Sequence, residues 1–143
     1  MKLLFLAAIA MAFTQSSFAD DAGELSFVKR QDSAPMEVTS VSLTSTGGTI
    51  TAEGPMGAYG RVYTTYTLTA RPDGTSGWVA VEGRGAMEDG GFASGAGVGI
   101  YSRAGTTFTI HFLVNMQDGT QNLDTVVFDA FTRELSHNVY IVK

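Results

Sequence analysis

The sequence predicts an all-β protein: an eight-stranded antiparallel up-and-down barrel that follows a signal peptide. Three observations lead there. Turn signals recur at a nearly fixed interval, at Asp73-Gly74, Asp89-Gly90, Ala104-Gly105, Asp118-Gly119 and Thr132-Arg133. The segments between them alternate and are rich in Val, Thr, Tyr, Phe and Ile, residues that suit a half-buried pleated surface. The strands so bounded are long for a sandwich, and closing them on themselves removes the unpaired edges they would otherwise expose.

The chain of 143 residues suffices for one core after a leader is set aside. Lys2 supplies a basic start, Leu3 to Phe13 an apolar run too short to span a bilayer, and Ser17-Phe18-Ala19 the small residues of a cleavage site. Residues 1–19 therefore read as a secretory signal peptide cleaved after Ala19, 20–35 as a loose N-terminal arm with a short strand near 25–29, and 36–143 as the barrel. This organisation places the mature protein outside the cytoplasm, secreted or periplasmic, with no membrane span. Without Lys2 the chain has 8 Lys and Arg against 14 Asp and Glu, a formal charge of −6. That balance argues against nucleic acid and anionic lipid as partners. The absence of cysteine excludes disulfides, thiolate metal sites and thiol nucleophiles.

Eight strands are expected, at about 36–45, 48–53, 58–70, 76–88, 91–102, 106–116, 120–131 and 134–142. Turn chemistry sets their register. Pro72-Asp73-Gly74-Thr75 suits a four-residue loop on a type I turn, with Arg71 facing Ser76. Asp89-Gly90 suits a two-residue type I′ loop. Arg103-Ala104-Gly105 and Gln117-Asp118-Gly119 suit three-residue loops that end in a left-handed glycine, and Thr132-Arg133 a two-residue loop. These loops place Val62, Thr64, Tyr66 and Leu68 inside, opposite Gly85, Gly83, Val81 and Val79. Ser94, Ala96, Val98 and Ile100 follow, then Val114, Phe112, Ile110 and Phe108. The inner face ends with Asn122, Asp124, Val126 and Phe128, then Ile141, Val139 and His137.

Seven of the nineteen residues in 81–99 are glycine. Gly95-Ala96-Gly97-Val98-Gly99 is not a phosphate-binding fingerprint, for it continues into a strand and no Gly-Lys-Ser/Thr follows. In the expected register Gly83 and Gly85 face inward, where they relieve crowding or leave room for a ligand. Gly95, Gly97 and Gly99 face outward as a bare strip, with Gly97 between Glu82 and His111. That strip reads as a homo-oligomer contact, a shallow exterior groove, or a device that lets the sheet coil.

Chemistry-bearing motifs are few. Glu134 and His137 are three apart, so on a strand they point to opposite faces and cannot chelate one metal ion. The Asp118 to Asp124 segment lacks the ligand pattern of a calcium loop and reads as a hairpin turn. No metal site and no cofactor are expected. The candidate ligand-binding residues are the polar groups that the register places inside: Asp124, Asn122 and Ser94 near one mouth, Tyr66 and Thr64 deeper. A buried carboxylate must be hydrogen-bonded, protonated or wet, so Asp124 belongs to a polar cluster or to a site. His137 reads as a hydrogen-bonded core histidine.

The runs GPMGAYGRVYTTYTL (54–68), SGWVAVEGRGAMEDG (76–90), SGAGVGIYSRAG (94–105) and DGTQNLD (118–124) resemble the allene oxide cyclase barrel-like group, over roughly residues 36–142. The resemblance implies an eight-stranded antiparallel barrel with an elongated apolar cavity and a tendency to oligomerise. None of the plant cyclases' catalytic positions maps onto this chain, so cyclase activity is not carried over. Three readings stand: an exported barrel that binds a small, largely apolar molecule; an isomerase or cyclase that acts by confinement, with Asp124 or Tyr66 as a polar handle; and a filled barrel with a structural or interaction role.

Overall fold

The computed structural model describes residues 23–143. The expected leader and its cleavage after Ala19 lie outside the described residues. Nine strands follow one another: β1 (Phe27–Lys29), β2 (Ala34–Thr44), β3 (Gly47–Pro55), β4 (Arg61–Ala70), β5 (Ser76–Ala86), β6 (Phe92–Ala104), β7 (Thr107–Met116), β8 (Gln121–Asp129) and β9 (Glu134–Val142). A 3₁₀ turn, Gly57–Tyr59, interrupts the series between β3 and β4. Each strand from β2 to β9 pairs antiparallel with the next, and β9 pairs back onto β2 through Ala34–Glu37. The result is a closed eight-stranded antiparallel barrel. The extra strand β1, in the N-terminal arm, lies on the last residues of β9, with Phe27 opposite Val142.

Aspartates organise four of the turns. The Asp73, Asp89, Asp118 and Asp129 carboxylates each accept backbone N–H groups two or three residues on, which closes each turn locally. Two expected registers are present. Arg71 N–H bonds to the Ser76 carbonyl around a four-residue loop, and Val62, Thr64, Tyr66 and Leu68 face Gly85, Gly83, Val81 and Val79. Gln117-Asp118-Gly119 forms a three-residue loop with Gly119 at φ 85°, and Asn122 and Asp124 pair with Val114 and Phe112.

Three turns differ from expectation. The Asp89-Gly90 turn takes three residues between Met87 and Gly91, so Gly85 faces Ala93 and not Ser94. The next turn is Gly105-Thr106 alone, with Ala104 opposite Thr107, which moves β7 by three residues along β6. The last loop takes four residues, 130–133, and Arg133 adopts φ 63°. Each of the first two changes inverts the facing of the strand that follows, and the two inversions cancel. Phe108, Ile110, Phe112 and Val114 are therefore buried as expected, while β6 alone is turned over.

On β6 the inward positions are Ala93, Gly95, Gly97, Gly99 and Tyr101, and the outward ones include Ala96, Val98 and Ile100. Val98 and Ile100 are 70% and 56% exposed. The glycine strip thus belongs to the inner face, and the proposed outward strip between Glu82 and His111 does not form. Glu82 faces Ala96 and His111 faces Ile100, so the two residues occupy different rows. A shallow groove does run over this part of the outer wall, with Gly97 in its floor between Glu82, Val98 and Leu113.

Glycine is required on β6 for a reason of space. A Cβ on Gly97 would fall on the backbone carbonyl oxygen of Leu113, and one on Gly99 on that of His111. β6 coils so tightly against β7 that no side chain fits between the backbones. Gly83 is different, because an added Cβ would meet nothing nearer than 3.8 Å. Chemical denaturation should separate the two. Gly97→Ala is expected to lose at least about 2 kcal/mol through overpacking. Gly83→Ala should stay within roughly 1 kcal/mol of the parent, since the smaller unfolded-state entropy favours it. Equal losses would contradict the packing described for β6.

Candidate functional site

The barrel interior divides into a filled half and a half with space. At the filled end Phe108 stacks between Tyr101 and Phe128, with ring centroids 5.7 and 5.9 Å away, and Ile110, Val126, Leu68 and Leu135 close the layer. At the other end a chamber of about 50 Å³ remains, walled by Val62, Val81, Phe112, Val114, Met56 and Met116, with Gly83, Gly85 and Gly95 leaving parts of the wall bare. A volume of that size holds a few water molecules or one compact chemical group. The interior is therefore no elongated open cavity.

Polar groups enter the chamber from three strands. On β8, Asn122 and Asp124 are two residues apart and so share the inner face, 1% and 5% exposed. His137 comes from β9 and Thr64 from β4, both buried. Behind the wall lies Tyr66, fully buried, its hydroxyl 3.0 Å from His137 Nδ1. His137 Nε2 is 2.8 Å from Asp124 Oδ2. A chain Tyr66–His137–Asp124 thus crosses the barrel, with Phe112 edge-on to both rings.

Proton positions follow from assigning a role to each atom of the network. Burial pushes the Tyr66 phenol well above its ordinary range, and a hydrogen bond from Thr64 offsets this only in part. The phenol therefore stays protonated and donates to His137 Nδ1. His137 then carries its hydrogen on Nε2 and donates it to Asp124 Oδ2. This arrangement leaves Asp124 Oδ1 without a partner, and Asn122 Oδ1 is bare as well. Both acceptors belong to residues that line the chamber.

The mouth is set by a segment that the sequence reading placed within a strand. Gly57, which begins the 3₁₀ turn, and Gly60, which follows it, adopt φ 49° and 71° and fold Tyr59 across the barrel end. Asn122 Nδ2 donates to the Tyr59 hydroxyl at 2.9 Å. Gly85 makes this possible, because a Cβ there would strike the Tyr59 carbonyl. The Arg30 guanidinium sits 5.1 Å from the centre of the Tyr59 ring. Outside lies an open vestibule of about 450 Å³ bordered by Arg30, Ala58, Met87, Phe92, Gln117 and Asp118. It meets the chamber at Tyr59, Ala93, Ser94 and Met116.

Of the five candidate residues, Asp124, Asn122, Thr64 and Ser94 line the chamber, and Tyr66 supports it from behind. The expected facing of Ser94 is corrected: it pairs with exposed Arg84, so it stands on the outward row of β6 and borders the chamber from the rim, near the mouth where it was expected. The reason is the extra residue in the Asp89-Gly90 turn. Tyr59 was missed, although the Gly57-Ala58-Tyr59-Gly60 spacing is a turn signal that would have exposed it. Among the described residues no group of three His, Asp or Glu is placed to hold a metal ion.

The buried phenol makes stability fall at alkaline pH. Its native pKa is raised, so its contribution is whole below about pH 10 and is lost as pH rises, because the unfolded chain gives up the proton first. Tyr66→Phe should cost roughly 1–3 kcal/mol at neutral pH by leaving His137 Nδ1 without a donor. It should also flatten the alkaline loss measured by urea unfolding. Parallel pH profiles for parent and variant would contradict the assignment. No protein-family model, curated protein or solved structure matches this chain.

Proposed function

We propose that this is an exported small-molecule-binding barrel, whose ligand passes Tyr59 and seats one compact group in the chamber beside Asn122 and Asp124. The observation that carries the reading is a mostly apolar chamber lined by two residues, Asn122 and Asp124, whose buried Oδ1 atoms have no partners. Buried acceptors left bare cost about 1–3 kcal/mol each, so a group that donates to them gains most of that back. The bulk of a largely apolar ligand lies in the vestibule, against Met87, Phe92 and Met116. The leader-like residues 1–19 support export, and the resemblance to the allene oxide cyclase barrel-like group is part of the same reading.

The Tyr66–His137–Asp124 chain favours a second reading, an isomerase or cyclase in which Asp124 steadies a confined substrate. Turnover of lipid epoxides or terpenoids by the purified protein would distinguish it from a pure binder.

Native mass spectrometry of protein from its own host is the direct test. A retained small molecule is expected, on a chain that begins at Asp20. Gly83→Val should remove the adduct by filling the chamber while leaving the polar groups in place. A bare parent chain would favour the filled-barrel role, and a product that retains Phe13 would overturn export.

A further inference from the structure

The chamber has a chemical bias that narrows its ligand, given the reading that it takes one. Its lining includes a carboxylate, an amide oxygen and a histidine, and no lysine or arginine. His137 is occupied by the Tyr66 hydroxyl at Nδ1 and by Asp124 Oδ2 at Nε2, so it does not reach the second Asp124 oxygen. Asp124 Oδ1 is therefore left open on a chamber that no lysine or arginine lines. Arg30 does not supply a partner, since its guanidinium sits against the Tyr59 ring and borders the outer vestibule. A buried charge is costly unless it is paired.

Geometry selects among cations. Asn122 and Asp124 stand at alternate positions of one strand, and each has one oxygen without a partner, so a single ligand group that serves both must donate at least twice. We propose that the chamber binds the head group of a primary ammonium compound, with N–H bonds to Asn122 Oδ1 and Asp124 Oδ1 and an apolar body leading past Tyr59 into the vestibule. An alcohol offers one donor and no charge. A carboxylate meets like charge. A quaternary ammonium offers charge without N–H donors. Tyr59 and Phe112 add aromatic walls that tolerate a cation.

Titration calorimetry with four hexyl compounds tests this: n-hexylamine, 1-hexanol, hexanoate and hexyltrimethylammonium, at one ionic strength and neutral pH. The amine is expected to bind at least about tenfold tighter than the alcohol, and the other two not to saturate. Asp124→Asn should weaken the amine at least about tenfold and leave the alcohol unchanged. Should that chain fail to fold, Gly83→Val, which keeps both acceptors, should abolish binding of amine and alcohol alike. Alcohol binding as tight as the amine would overturn the ammonium assignment and leave the chamber reading standing. Quaternary binding as tight as the amine would overturn the role of the two acceptors. If none of the four binds, the chamber reading fails together with the ammonium assignment.

Discussion

The hydrogen-bonded chain from Tyr66 through His137 to Asp124 is the constraint around which the barrel interior is arranged. A phenol, an imidazole and a carboxylate from three strands meet in a core otherwise built of Val, Ile, Leu and Phe. Such groups are tolerated in a low-dielectric interior only when each finds a partner. Two bonds give each of the three groups a partner, with only Asp124 Oδ1 left open, and both bonds require β4, β8 and β9 to be in one register. A slip of a single residue would turn Asp124 or His137 to the outer wall and leave Tyr66 alone inside. The chain therefore acts against alternative registers as well as supporting the native one.

The same chain explains why space remains at one end. Polar side chains do not interdigitate like the Phe108 layer, and the row beside them is bare at Gly83, Gly85 and Gly95. Part of that relief is used by the Tyr59 turn, which enters over Gly85 and takes the hydrogen bond from Asn122. What is left is a small chamber with two acceptors still open. A site of this kind combines rigidity, because its residues stand on strands, with an entrance made from a short turn whose Tyr59 is only partly buried.

Much of this was legible in the chain because local chemistry decided it. The Pro72-Asp73-Gly74 and Asp118-Gly119 turns have one favourable geometry each, and their registers followed correctly. Those two hairpins carry Thr64, Tyr66, Asn122 and Asp124, so four of the five candidate site residues stood on the right face. Ser94 did not, because Asp-Gly fits two-residue and three-residue loops with similar ease. The hydrophobic pattern then misled, since Val98 and Ile100 are the residues a pattern would bury. They are outside because the inner wall behind β6 has no room for a Cβ at Gly97 or Gly99.

By itself, then, the sequence determined the eight barrel strands, their antiparallel order and the inner faces of five of them, since turn residues and period-two alternation act within a few residues of one another. Tertiary structure alone decided the facing of β6, the fold of Tyr59 over the mouth and the meeting of Tyr66 with His137, 71 residues apart. These depend on how closely two backbones approach and on which polar groups closure brings together. Both are properties of the closed barrel as a whole, and no single hairpin contains them.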